Sequence, residues 1–126
     1  MARSAYDSEQ YDKALKYYEK AQKGAPSSVD LSDEMAQSAY KAEDYQRAEK
    51  IYQQSQGNKY DKKSRSDNFH NLGNTRMKSE NYEGAIEAYK EALRINPNDK
   101  ETRYNLSEAK RKLKKKQDQQ QQQNQQ

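Results

Sequence analysis

The chain of 126 residues has no cysteine and no tryptophan, one histidine, two prolines and four glycines. Each shortage excludes something. Without cysteine there is no disulfide framework, no thiolate metal site and no thiol nucleophile. The lone His70 makes no metal centre without carboxylates at ligand spacing, and the sequence offers no such set. The four glycines are dispersed, so no phosphate-cradling loop is expected. No nucleophile, base and orienting group fall into a recognisable pattern, so neither catalysis nor a cofactor is expected. No apolar run approaches the ~18 residues that would cross a bilayer. No signal peptide is visible; the chain opens directly in a tyrosine- and charge-rich helical pattern.

Large aliphatic side chains are also scarce: six Leu, three Ile, one Val, and a single Phe beside them. That composition alone would describe a chain too poor in apolar surface to offset its conformational entropy. Eleven tyrosines and thirteen alanines supply the missing surface, and a net charge of +4 gives little self-repulsion. The basicity is local. Six of the seven residues from Lys110 to Lys116 are basic, and the remainder carries slightly more acidic than basic residues. A pI of 9.1 is therefore weak support for a nucleic-acid partner, and none is expected.

What the sequence does contain is a repeat. "AYDSEQYDKALKYYEKAQKGAP", "AYKAEDYQRAEKIYQQSQG" and "RMKSENYEGAIEAYKEALRINP" align with Tyr11, Tyr45 and Tyr82 in register. Ala14, Ala48 and Ala85 also correspond, as do Tyr18, Tyr52 and Tyr89. The four-residue step from alanine to tyrosine puts both on one helix face. These tyrosines are expected to pack between helices, with their hydroxyls reaching water at the edge. Phe69, Leu72, Gly73, Arg76, Ala85, Tyr89 and Pro97 follow the spacing W-x2-L-G-x2-Y, A-x3-F, P, with Arg76 departing from the expected Tyr. On these residues the chain resembles a tetratricopeptide repeat (TPR) protein.

The resemblance implies an all-α solenoid of antiparallel helix pairs with a C-terminal capping helix. A partial unit spans 1–28 (the end of a helix A and all of helix B), full units span 29–65 and 66–99, and a capping helix spans 100–116. Helices are expected at 2–8, 11–23, 29–41, 45–57, 66–78 and 82–95, with the last over 99–116. Asp99 is the expected N-cap of that last helix. The Gln-rich residues 117–126 cannot bury surface and are expected to be disordered. A first unit lacking most of its helix A is expected to fray or to self-associate through that end. Gly73 falls where the repeat needs a small residue, as do Ala36 and Ala2. Leu72 should face the core and Asn74 the opposite, concave side.

TPR proteins bind peptides on the concave face lined by their A helices. Carried over, the lining would be Tyr6, Asp7, Asp33, Gln37, Tyr40, Lys41, His70, Asn74, Met77, Lys78, Tyr104 and Glu108. Asn74 stands out, because a side-chain amide donates to and accepts from an extended backbone at once. A carboxylate clamp is not expected: Asp33, Gln37, Asn71, Glu101 and Asn105 occupy its places, and two carboxylates would meet the anion. Starting one unit earlier gives Arg3, Glu34, Asp67 and Asn71, which is no better. The basic residues Lys110, Arg111, Lys112, Lys114, Lys115 and Lys116 have two readings. They complement the helix dipole and add solubility, or they contact an acidic partner or an anionic membrane surface.

Residues 66–126, with "NPND", "ETRYNL", a Lys-rich helix end and a Gln-rich tail, are similar to the TPR proteins of Bat (aerotolerance-type) operons. That resemblance implies an exported protein of the periplasm or cell envelope, although a cytoplasmic one remains open. It implies neighbours such as membrane-anchored von Willebrand factor A-domain proteins and a MoxR-type ATPase. The expectation for function is a protein-binding adaptor; peripheral binding to an anionic surface is the alternative.

Overall fold

The computed structural model describes the backbone of residues 2–56 and 61–124, and side chains from residue 9 onward. Six helices and no strands occur among these residues: α1 (Ala2–Gly24), α2 (Ser32–Lys41), α3 (Tyr45–Ser55), α4 (Lys62–Lys78), α5 (Tyr82–Ile95) and α6 (Lys100–Asn124). They form two compact units, Met1–Tyr60 with α1–α3 and Asp61–Gln126 with α4–α6.

Short polar side chains start α3 to α6. The carboxylate of Asp44 accepts from Arg47 N, that of Asp61 from Ser64 N, and the amide oxygen of Asn81 from Gly84 N. Asp99 Oδ1 accepts from Thr102 N at 3.1 Å, so Asp99 caps α6 as its position suggested. The α2–α3 and α4–α5 turns are alike. Glu43 and Glu80 take positive φ, 65° and 62°. Asp44 N and Asn81 N then bond back to Ala39 O and Arg76 O, six residues spanned in each, which closes the preceding helix.

The first unit departs from expectation at that turn. Helices were expected at 2–8 and 11–23, but α1 runs unbroken from Ala2 to Gly24. In the alignment Gln10 stands where Asp44 and Asn81 cap. Its longer side chain is not a capping group, and no glycine or proline interrupts the run, so the helix continues. The helix α2 starts at Ser32, not 29, because Gln22 holds the loop: its Nε2 donates to Val29 O at 2.8 Å and its Oε1 accepts from Leu31 N at 2.6 Å. In the second unit α4 begins at Lys62, four residues early, on the Asp61 cap. Residues 57–60 lie outside the described ones.

The helix α6 also differs. Expected to end at 116 before a disordered tail, it runs to Asn124. Glutamine is among the better helix formers, and Gln117–Asn124 contains neither glycine nor proline, so the helix propagates without packing. Residues 125 and 126 lie outside the described ones.

Alanine dominates both cores. Leu15, Ala36, Ala39, Ala48 and Tyr52 are buried in the first unit, and Leu72, Ala85, Ala88, Tyr89, Ala92 and Ala109 in the second. Small side chains bring helix axes close, and one large tyrosine per unit fills the remaining space. Burial, then the charges of Asp33 and Tyr40, pushes the Tyr52 hydroxyl far above its ordinary pKa, so it stays protonated.

Candidate functional site

The second unit is built around Gly73. A methyl placed on it would run into Tyr89 Cε1 and lie 2.5 Å from Cδ1 and 2.9 Å from Cζ. The missing side chain therefore lets the α5 ring lie flat against the α4 backbone. With its ring so held, the Tyr89 hydroxyl reaches over α4 and donates to Asn74 Oδ1 at 2.6 Å. Asn105 Nδ2, from α6, donates to the same oxygen at 3.2 Å. These two bonds fix the Asn74 amide: its oxygen is taken, and its two N–H donors are turned away from Tyr89. Asn105 in turn keeps its own carbonyl oxygen for another donor. An N–H donor and a C=O acceptor thus stand side by side on α4 and α6, as they do along the edge of a β-strand.

One turn earlier lies a second link between these helices. The buried Thr102 hydroxyl donates to Asp99 Oδ2 at 2.6 Å, so its oxygen is free to accept from His70 Nδ1 at 2.6 Å. The other ring nitrogen, Nε2, faces Glu101 Oε1 at 3.8 Å. Burial opposes ionisation of Asp99, but the Thr102 hydroxyl and N–H bonds and the nearby His70 outweigh it and hold the carboxyl below its usual pKa. Further along, Met77 of α4 packs against the core cluster of Ala85, Tyr89 and Ala109. The matched pairs His70–Thr102 and Asn74–Asn105 advance together along the chain, so α4 and α6 run parallel, while α5 runs back between them.

The expected lining residues therefore divide. Leu72 is buried, as expected, and Asn74 is half-buried. His70 and Asn74 are tied to α6, Lys78 is exposed at the end of α4, and Tyr104 is 67% exposed on α6. Met77 is partly buried and packs against the Tyr89 cluster. The expectation that tyrosine hydroxyls reach water is corrected for Tyr89, whose hydroxyl is bound by Asn74. Arg76, standing where the pattern wants Tyr, sends Nη1 across to Gly84 O at 2.9 Å and so ties α4 to α5 by a bond instead of a ring. Asn105 was weighed only as a clamp position, and Thr102 and the role of the Tyr89 hydroxyl went unrecognised. The spacing D-x-x-T from Asp99 signals Thr102; nothing local signals the others, because their partners lie 31 and 15 residues away.

In the first unit Asp33 and Gln37 are exposed on α2. Tyr40 is half-buried, its ring edge-on to Tyr45 with centroids 5.5 Å apart, and burial followed by Tyr45 raises its pKa. Lys41 lies over the Tyr11 ring at 5.4 Å. The side chains of Tyr6 and Asp7 lie outside the described residues. Along α6, Arg111 pairs with Glu108 at 2.9 Å, and Lys116 lies over the Tyr82 ring at 5.9 Å. Lys110, Lys112, Lys114 and Lys115 are exposed. No group of three or more His, Cys, Asp or Glu residues that could hold a metal ion occurs among the described residues. No helix among them is long and apolar enough to cross a membrane.

Comparison with known families settles what the repeat is. A family model described as "Tetratricopeptide repeat" matches residues 1–62, and one described as "TPR repeat" matches residues 73–113. The chain is built of tetratricopeptide repeats. In the TPR frame α4 and α6 are successive A helices and α5 is the B helix between them. The TPR fold is an all-α helical repeat that typically serves as a non-catalytic scaffold for protein partners. No curated protein matches the chain, and the family matches carry no link to aerotolerance proteins.

Proposed function

We propose that this TPR protein is an interaction module that takes an extended segment of a protein partner across α4 and α6, on the amide pair Asn74–Asn105. The observation that carries this reading is the Tyr89 bond, which with Asn105 engages the Asn74 oxygen and leaves the Asn74 N–H donors and the Asn105 carbonyl for a partner. A preset amide pair loses no rotamer freedom on binding, which favours affinity. His70, Lys78 and Tyr104 flank the pair and would contact partner side chains.

The test is selection of peptides from a random display library on the immobilised full chain. Selected peptides should bind Asn105→Ala roughly tenfold or more weakly, as expected for a lost hydrogen bond of ~1.5 kcal/mol. Unchanged affinity for Asn105→Ala and for His70→Ala would refute the site. Asn105 is the cleaner position, because Asn74→Ala also removes the acceptor of the Tyr89 hydroxyl bond.

The second reading is peripheral binding to an anionic surface through Lys110, Lys112, Lys114 and Lys115. It is favoured by their exposure along the middle of α6, where Arg111 alone is paired to a carboxylate among the described residues. Replacing Lys114, Lys115 and Lys116 by Gln should abolish binding to anionic vesicles and leave peptide binding intact. The resemblance of residues 66–126 to Bat-operon proteins supports a cell-envelope complex with von Willebrand factor A-domain partners as the setting.

A further inference from the structure

The bond between His70 and Thr102 fixes the proton on the imidazole as well as the spacing of two helices. Thr102 is buried, and its hydroxyl has one proton, which goes to Asp99 Oδ2 at 2.6 Å. The Asp99 carboxyl is held below its usual pKa, so it is an anion and accepts only. The 2.6 Å contact between His70 Nδ1 and Thr102 Oγ1 then takes its proton from the ring. A neutral imidazole has one N–H, so Nδ1 carries it and Nε2 is left as a lone-pair acceptor. The ring is also held from α5, where the Tyr89 ring lies with its centroid 6.0 Å away.

Nε2 faces the Glu101 carboxylate, with Oε1 at 3.8 Å. That is one acceptor beside another, too far apart for a hydrogen bond and with no proton between them to share. The Glu101 side chain is 77% exposed and that of His70 13%. With Nδ1 turned in to the buried Thr102, the exposed edge of the ring is the one that bears Nε2. Two nearby cations are engaged elsewhere. Lys63, close enough to feel the Asp99 charge, donates to Asp67 Oδ2 at 2.9 Å, and Arg103 Nη2 donates to Pro97 O at 2.8 Å. The carboxylates of Asp99 and Glu101 offset the partial positive charge at the start of α6. Glu101, which speaks against an anion on this face, thus selects a cation. Two acceptors side by side suit one with paired N–H donors. A guanidinium presents such a fork, and it gives up its hydration more readily than an ammonium.

We propose that the partner segment carries an arginine whose guanidinium bridges His70 Nε2 and Glu101 Oε1. This rests on the reading that the segment crosses α4 and α6 at Asn74 and Asn105. His70 precedes Asn74 by four residues, and Glu101 precedes Asn105 by four. At 1.5 Å per residue the acceptor pair therefore lies parallel to the amide pair, about 6 Å nearer the helix N-termini. A short side chain does not span that distance, whereas arginine does. The arginine occupies one fixed position, beside the residue whose backbone the amides hold.

NMR of the full chain tests the acceptor pair directly, because His70 is the one histidine and its imidazole signals have no rival. At pH 8 the nitrogen shifts should show a protonated Nδ1 and a bare Nε2. Acetyl-arginine amide should move the Nε2 signal. Acetyl-citrulline amide, its uncharged counterpart, should not do so at equal concentration. Glu101→Gln alters an exposed side chain, so it should fold, and its amide can donate to Nε2 in place of the arginine; the arginine response should fall several-fold. Peptides selected on the immobilised chain should share an arginine at one position. Its replacement by citrulline should weaken binding roughly threefold to tenfold, as for a charge-assisted bond at an exposed site. A proton on Nε2 at pH 8, equal responses to arginine and citrulline, or an arginine response unchanged in Glu101→Gln would overturn the proposal. Selected peptides that depend on Asn105 but share no arginine would overturn it as well, and leave the amide-pair reading standing. An arginine response at His70 with no peptide depending on Asn105 would support the guanidinium site and refute the amide-pair reading instead.

Discussion

Replacing Gly73 by alanine sets two effects of opposite sign against each other. Helix propensity favours the change by about 1 kcal/mol, because glycine is a poor residue inside α4. Packing opposes it. The new methyl would sit 2.5 Å from Tyr89 Cδ1, well inside van der Waals contact. The obstacle is a ring and not the loose end of a side chain. Tyr89 is 1% exposed and its hydroxyl is bonded to Asn74, so the ring cannot swing aside without breaking that bond. Overpacking costs roughly 1–3 kcal/mol, and the bond contributes about 1 kcal/mol. The net expectation is destabilisation of the second unit by about 2 kcal/mol. Urea unfolding followed by circular dichroism measures this directly, and in thermal scans the midpoint temperature should fall by roughly 8–16 °C. A double-mutant cycle with Tyr89→Leu, which shortens the obstructing side chain, should show coupling that recovers part of the loss. A Gly73→Ala variant as stable as the parent, or more so, would refute the reasoning: α4 and α5 would then have room that their spacing denies.

Three further outcomes follow from the same geometry. The Asp99 carboxyl is held below its usual pKa, so its contribution is complete above the unfolded value of about 3.9 and is lost as pH falls through the lower folded value. Asp99→Asn should therefore lower the unfolding temperature at pH 7 and converge with the parent below pH 4, as thermal scans across pH would show. Deleting residues 117–126 should reduce the helical circular dichroism signal per molecule, since Gln117–Asn124 is helical; an unchanged signal would contradict the length of α6. Glu80→Gly relieves a left-handed conformation costing ~1–2 kcal/mol against a glycine entropy cost of ~0.5–1 kcal/mol. It should raise stability by some tenths of a kcal/mol to about 1 kcal/mol in urea unfolding.

Much of the fold was legible because it is written in short-range patterns. Tyr82–Ile95 was read to the residue, since an N-cap Asn81 and a proline-bearing end bracket a strong apolar period. The alanine–tyrosine step identified Ala48, Tyr52, Ala85 and Tyr89 as buried. What failed had identifiable physical causes. A glutamine in a capping position merged two helices into α1, a distinction that lies in one methylene of side-chain length. The Gln-rich end was judged by what it could bury, whereas helix propensity alone extends α6. The site was legible only in outline. The period sets Asn74 opposite Leu72, but that its oxygen is already bonded depends on Tyr89 and Asn105. Those partners are brought to it by helix packing, which no local pattern records.

The parallel run of α4 and α6 has a consequence for measurement of length. Packed helices lie about 8–10 Å apart, and an extended chain advances ~3.3 Å per residue. A segment crossing from Asn74 to Asn105 therefore passes from one A helix to the next in about three residues. Tandem copies of this pair would read a partner chain in steps of three, so the number of A helices, more than the chemistry of any one of them, would set how long a sequence is measured out.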